Sequence, residues 1–247
     1  MLSTLRPLTR QFTNRVTRAL PTACALCGMG ASTLVCEGCH AQFFSQQVSR
    51  CPQCAIALPY AVQDTHTRCG TCLKQAPAFD ATVVAADYTA PIDQLVLALK
   101  FGGQLALASL FAQLLHTQMQ PMPHDDLPSL LTLVPLGAQR LIERGFNQAL
   151  EIARPLARAF DIPLHAKLAV RVRDTAAQSS LQPDDRRKNI RNAFTVLPQA
   201  IDRIHGAHIG IVDDVMTTGE TLNELAATLK RFGAARVTNL VFARSPH

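Results

Sequence analysis

His208-Ile209-Gly210-Ile211-Val212-Asp213-Asp214-Val215-Met216-Thr217-Thr218-Gly219-Glu220-Thr221 is the stretch from which the rest of the chain is read. An apolar run, His208 to Val212, ends in two adjacent carboxylates. Two hydroxyls and a glycine follow, and a helix with a clear apolar face starts near Thr221. This order predicts a buried strand, a tight loop and a helix N-terminus. The first amides of a helix lack intrahelical partners, and the dipole adds positive potential there. Together they form an anion site of the kind phosphate uses. Thr217, Thr218 and Thr221 add hydroxyl donors, and Gly219 lets the backbone close on a ligand. Asp213 and Asp214 need something more. Neighbouring carboxylates repel and are relieved by a cation or by hydroxyl donors. A phosphorylated ribose with Mg²⁺ meets both needs, its hydroxyls on the acidic pair and its 5′-phosphate in the loop. The bland alternative is an acidic turn before an ordinary N-capped helix.

The chain has 247 residues, 48% of them hydrophobic, which suits one or two domains with a sizeable core. No stretch reaches transmembrane length without charge. A net charge of +6 and a pI of about 9.1 admit an anionic partner, although a solvated basic surface explains them equally well. Trp is absent and Tyr occurs twice, so base stacking would rest on Phe or Arg. Residues 1–20 carry Arg6, Arg10, Arg15 and Arg18 and no acidic group. They read as a solvated N-terminal segment. A basic amphipathic helix at a membrane surface or on nucleic acid, and a transit peptide, are the alternatives.

All eight cysteines lie between Cys24 and Cys72, in four C-x-x-C pairs: Cys24/Cys27, Cys36/Cys39, Cys51/Cys54 and Cys69/Cys72. Each pair has the spacing of a metal-binding knuckle, and two knuckles make a closed tetrahedral Zn²⁺ site. Four pairs make two sites. Sequential pairing is the simplest arrangement and interleaved pairing the alternative. A closed site has no open position, so its zinc is structural and supplies folding free energy. His40 and His66 are then bystanders. A redox role is the weaker reading, and thiolates held for metal imply a reducing compartment.

Three segments follow: a basic N-terminal segment (1–20), a double zinc ribbon (21–76) and an α/β domain (77–247). In the last, strands are expected at Ala81–Ala86, Leu130–Val134, Ala169–Val172, Phe194–Leu197 and Arg236–Ala243. Helices are expected from Pro91 to Lys100, over Leu105–Thr117, over 146–160 with a kink at Pro155, and from Thr221 to Gly233. Alternating strands and helices predict a parallel sheet with ligands beyond the strands' C-terminal ends. Two basic segments flank that edge. Arg140-Leu141-Ile142-Glu143-Arg144-Gly145-Phe146-Asn147-Gln148 offers two guanidiniums and two amides, and Arg forks suit phosphate. The bland reading makes Arg140 and Arg144 one solvated helix face paired with Glu143. Residues 167–194 hold Lys167, Arg171, Arg173, Arg186, Arg187, Lys188 and Arg191 around a polar centre. This predicts a mobile basic loop over pyrophosphate or a nucleic-acid backbone, or an ordinary charged surface loop.

Val212–Thr221 resembles the phosphoribosyl-pyrophosphate (PRPP) motif of type I phosphoribosyltransferases. The resemblance implies that Asp213 and Asp214 hold the ribose, as the catalytic carboxylates if transfer occurs. It implies that Val215, Met216, Thr217, Thr218, Gly219, Glu220 and Thr221 wrap the 5′-phosphate, with Mg²⁺ accompanying PRPP. Glu220 departs from the small residue often found there. Over nearly the whole chain after residue 20 the sequence is similar to the ComF family, which includes GntX-type proteins. The similarity is carried by the cysteine ribbon, Leu99-Lys100-Phe101-Gly102-Gly103, Arg144-Gly145-Phe146-Asn147-Gln148, Arg173-Asp174-Thr175-Ala176-Ala177-Gln178-Ser179-Ser180-Leu181 and the PRPP loop. Gly137-Ala138-Gln139 departs from the histidine–proline pair frequent in the family. The resemblance implies a cytoplasmic bacterial protein that assists DNA uptake in natural transformation; peripheral contact with the inner membrane is the option that the basic N-terminus adds. Its partners would be PRPP, single-stranded DNA, and a competence helicase or other uptake proteins. Lys100, Arg140, Arg144, Arg173 and Arg187 are the candidates for pyrophosphate or DNA phosphate. A metabolic phosphoribosyltransferase acting on a base or an amine, and a non-catalytic zinc-ribbon adaptor, are the competing readings. The family link does not by itself establish an enzyme.

Overall fold

The computed structural model describes residues 22–46, 48–59, 67–172 and 192–246. Expectations for the basic N-terminus, His66, Arg173, Arg186, Arg187 and the 173–181 string lie outside the described residues. The chain divides into two compact units, Met1–Gln46 and Gln47–His247, a division that falls between the two cysteine-rich stretches.

In the first unit β1 (Thr22–Ala23) pairs antiparallel with β2 (Gly30–Ala31), and α1 (Glu37–Phe43) follows. In the second unit α2 (Gly70–Lys74) comes first. The two helices start alike. Cys36 caps α1 and Cys69 caps α2 with nearly the same extended backbone angles, φ −67°, ψ 159° and φ −68°, ψ 158°. In these two C-x-x-C pairs, Cys36/Cys39 and Cys69/Cys72, the second cysteine therefore sits in the helix's first turn, on the side of the first.

The second unit continues with β3 (Ala81–Asp87), α3 (Ile92–Phe101), α4 (Ala106–Met119), β4 (Leu130–Leu133), α5 (Ala138–Arg144) and α6 (Gln148–Phe160). The short strands β5 (Ala169–Arg171) and β6 (Phe194–Val196) form an antiparallel pair. Then come α7 (Ile201–Ile204), β7 (His208–Met216), α8 (Glu220–Arg231) and β8 (Arg236–Arg244). Four strands make one parallel sheet in the order β3-β8-β7-β4. β4, β7 and β8 are apolar runs because both faces are covered. α4 and α6 pack together on one face, and α8 with β6 lies on the other. Phe111 of α4 stacks on Phe242 of β8, with ring centroids 3.5 Å apart. α6 runs through Pro155 as one helix.

β3 is an edge strand, and the Cys51–Cys54 turn covers that edge. The Thr82 amide donates to the Pro52 carbonyl at 3.1 Å, and the Thr82 hydroxyl donates to the Gln53 carbonyl at 2.6 Å. This satisfies backbone groups that an open edge leaves unpaired. At the C-terminal edge of the sheet, β7 corrects the expected boundary. It runs to Met216 rather than ending at Val212, because β8 keeps pairing with it: Asp213 lies opposite Val241 and Met216 opposite Arg244. The acidic pair therefore sits inside the strand and not at its C-terminal end. No helix among the described residues is long and apolar enough to cross a membrane.

Candidate functional site

Successive residues of a strand face opposite ways, and the two carboxylates of β7 have different surroundings. Asp214 is 3% exposed and pairs with Lys100 Nζ at 3.0 Å. Lys100 reaches it from the last turn of α3. Asp213 is half-buried, and its Oδ1 accepts the Asp214 amide at 2.9 Å. Burial and the Asp214 charge push the Asp213 carboxyl up to about 8, with Lys100 and Arg144 opposing the rise in part. Asp213 thus keeps its proton more readily than a free carboxyl does, and a cation bound beside it would favour the charged form and release that proton. With residues 215–222 it lines a cleft of about 50 Å³, somewhat more than the roughly 30 Å³ share of one water molecule. Gly219 caps α8 at φ +83°, and a Cβ there would lie 2.5 Å from Met216 Cε. Only glycine meets both constraints without strain.

The residues around Arg140 and Arg144 form a helix, α5, ended by Gly145 in the left-handed conformation. Arg144 lies over the Phe101 ring, 5.2 Å from its centroid, and its charge acts on Asp213. Lys100 and Arg144 are therefore gathered at the acidic pair. Arg140 is half-buried one turn earlier, and Gln139 binds Glu143 at 2.9 Å. Asn147 differs from the amide expected to face a ligand. Its Oδ1 accepts from the Ala149 and Leu150 amides at 2.9 and 3.4 Å, and its Nδ2 donates to the Val134 carbonyl at 3.1 Å. It caps α6 and ties it to the end of β4, which orients the segment. Gln148 is buried, at 4% exposure.

The cysteines resolve into two sequential clusters: Cys24, Cys27, Cys36, Cys39, and Cys51, Cys54, Cys69, Cys72. In each, the sulfurs lie within 4.8 Å of one another. The Cys27–Cys36 and Cys54–Cys69 sulfurs are 3.8 and 3.6 Å apart. A tetrahedron with Zn–S bonds of about 2.3 Å has edges of about 3.8 Å, so the clusters fit a tetrahedral metal. The thiols also fit electrostatically. Burial opposes charge on Cys51, yet amide hydrogen bonds bring it down to about 7. Burial and the Cys51 charge hold Cys54 up at about 11 against an amide hydrogen bond from Ile56. Four such sulfurs ionise together only around a cation.

Arg244, the last residue of β8, is a site residue that the sequence reading passed over. It is 5% exposed. Burial draws its pKa down, and the Cys54 and Cys69 sulfurs oppose that shift. The signal in the sequence was one charge closing the otherwise apolar run Leu240–Ala243.

The chain is 36% identical over 225 residues to a DNA utilization protein, YhgH, of Salmonella typhimurium, covering 88% of this chain and 95% of that protein. It is 34% identical over 214 residues to competence protein F of Haemophilus influenzae, covering 85% and 90%. This chain belongs to the ComF family. Residues 147–247 match the phosphoribosyl transferase domain. In this ComF-family chain the matched span begins at the Asn147 cap and ends beyond Arg244, so Lys100 and Arg144 are supplied from before it. Among solved structures, glutamine PRPP amidotransferase from B. subtilis, complexed with ADP and GMP, aligns with TM-score 0.36 and 18% identity over 55% of this chain and 26% of that one. The fold is a phosphoribosyltransferase-like parallel sheet flanked by helices, with two four-cysteine clusters toward its N-terminus.

Proposed function

We propose that this ComF-family protein handles single-stranded DNA during uptake in natural transformation and binds PRPP with Mg²⁺ at the end of β7. The observation that carries the reading is the intact acidic pair and glycine loop at one sheet edge, in a chain whose relatives are named for competence and DNA utilization. In this reading Asp213 takes the ribose hydroxyls and the metal, while Lys100 keeps Asp214 in place behind it. The amides and hydroxyls of Val215–Thr221 take the 5′-phosphate, the ligand a helix N-terminus favours. Lys100, Arg140 and Arg144, with Arg173 and Arg187, supply positive charge for pyrophosphate or the DNA backbone. Phe101, 71% exposed beneath Arg144, gives a base a surface to stack on. Each cluster holds one structural Zn²⁺.

The test is fluorescence anisotropy of a labelled single-stranded oligonucleotide with zinc-loaded protein, at several salt concentrations, with and without Mg²⁺ and PRPP. Binding that falls steeply with salt and weakens in Phe101→Ala is expected. No binding at low salt overturns the DNA half. Pyrophosphate release that needs a base or an amine, and not DNA, would move the protein to the metabolic transferases.

A further inference from the structure

The register of the sheet sets Arg244 opposite Met216, at the point where the loop leaves β7. Its Nη1 donates to the Met216 carbonyl at 3.2 Å, to the Ser245 carbonyl at 2.6 Å and to the Thr217 carbonyl. Its Nε donates to the Cys54 carbonyl at 3.0 Å. One planar cation thus joins the first carbonyls of the loop to the backbone of a ligand of the second cluster.

Peptide geometry turns this into a statement about the loop's donors. In a trans peptide the carbonyl and the following N–H point in opposite directions. Holding the Met216 and Thr217 carbonyls on Arg244 therefore aims the Thr217 and Thr218 amides away from it. The loop is a partition. On one side is the small cleft lined by Asp213 and residues 215–222. On the other is a larger cavity of about 610 Å³, walled by Cys54, Cys69, Arg244, Met216 and Thr218. Arg244 fastens the loop from the large cavity's side, which turns the amides toward the cleft. A divalent ion on four thiolates carries a net charge of −2, and the buried guanidinium lies beside it. The Arg50 guanidinium braces the same turn, donating to the Ala55 carbonyl at 3.1 Å and to Asp87 at 2.8 Å.

We propose that Arg244 is a positioning residue for the phosphate loop, and that through the Cys54 carbonyl the second cysteine cluster sets the loop's amide geometry. Metal at that cluster is then felt as anion affinity at the loop. The proposal rests on the PRPP reading of the loop, and the experiment separates the two.

The test uses the full chain loaded with zinc, as wild type, Arg244→Lys, Cys69→Ser, and Arg236→Lys as a control at the far end of the same strand. Three quantities are read: zinc per chain, amide hydrogen exchange at Thr217 and Thr218 without ligand, and the Kd for PRPP with Mg²⁺. Lysine keeps the charge and loses the fork that reaches several carbonyls. Arg244→Lys is expected to keep two zinc per chain, exchange faster at both amides, and bind PRPP about tenfold to a hundredfold more weakly, the loss that displaced donors bring. Cys69→Ser is expected to lose one zinc and to show the same two changes with Arg244 present. Arg236→Lys is expected to match wild type. Unchanged exchange and Kd in Arg244→Lys overturns the proposal. If that variant does not fold, unchanged values in Cys69→Ser overturn it. A wild type that binds no PRPP overturns the PRPP reading instead, while the exchange data still decide whether Arg244 sets the loop.

Discussion

Replacing Lys100 with methionine isolates the interaction that holds the acidic pair in the sheet. Lys100 Nζ is 3.0 Å from Asp214 Oδ2, and their side chains are 19% and 4% exposed. At that distance the attraction is about 5 kcal/mol for an effective dielectric near 20. Much of this only offsets the desolvation of a carboxylate inside the sheet. What the variant reveals is the cost of leaving that carboxylate without its cation, about 3–5 kcal/mol for a fully buried pair. The lysine end is partly open to water, so Lys100→Met is expected to lose about 2–4 kcal/mol. Methionine keeps most of the aliphatic stem, so packing contributes little. Asp214→Asn in the Lys100→Met background is expected to recover most of the loss, because the stranded charge is gone. Urea unfolding of zinc-loaded protein measures both. The chain has no Trp, so far-UV circular dichroism is the natural probe. A loss below about 0.5 kcal/mol, the range of ordinary surface substitutions, would refute the reasoning. So would a double variant no more stable than the single one.

Asp213, raised from 3.8 to about 8 by burial and by Asp214, keeps a proton in the folded chain that the unfolded chain gives up. Its burial therefore costs stability progressively as pH rises from about 4, fully above about 8. Asp213→Asn is expected to melt above wild type at pH 8.5, with the gap closing toward pH 5; a gap independent of pH would contradict this. Asn147→Ala removes the cap of α6 and its bond to Val134, and is expected to cost about 1–2 kcal/mol in the same urea assay. Cys72→Ser is expected to lose one zinc and lower the melting temperature of the unit carrying the sheet, since the Cys51–Cys54 turn covers the edge of β3. An unchanged melting temperature would show that the edge is held without metal.

The sheet was legible because β4, β7 and β8 are apolar runs bounded by polar turns, and such runs mark strands buried on both faces. The acidic pair and the glycine loop were legible as a candidate site because adjacent carboxylates suit a cation or hydroxyls and a glycine loop at a helix start suits an anion. The end of β7 was not, since Asp213-Asp214-Val215-Met216 has no intrinsic strand preference and is held extended by the register with β8. Spacing left the pairing of the cysteines open, and folding decides it in favour of the sequential clusters. Asn147 looked like a ligand because capping amides and ligand amides are the same chemistry; only the helix start at Gln148 tells them apart. Arg244 escaped because its partners are backbone carbonyls at Cys54, Met216, Thr217 and Ser245, and carbonyls leave no mark in a sequence.

The most direct test of the proposed PRPP binding is a calorimetric titration of zinc-loaded protein with PRPP and Mg²⁺, beside the folded Asp213→Asn variant. Saturable binding in the wild type and its loss in the variant is the expected result. A folded, zinc-loaded wild type that takes up no PRPP would contradict it, and would leave a phosphoribosyltransferase-like sheet serving some other purpose.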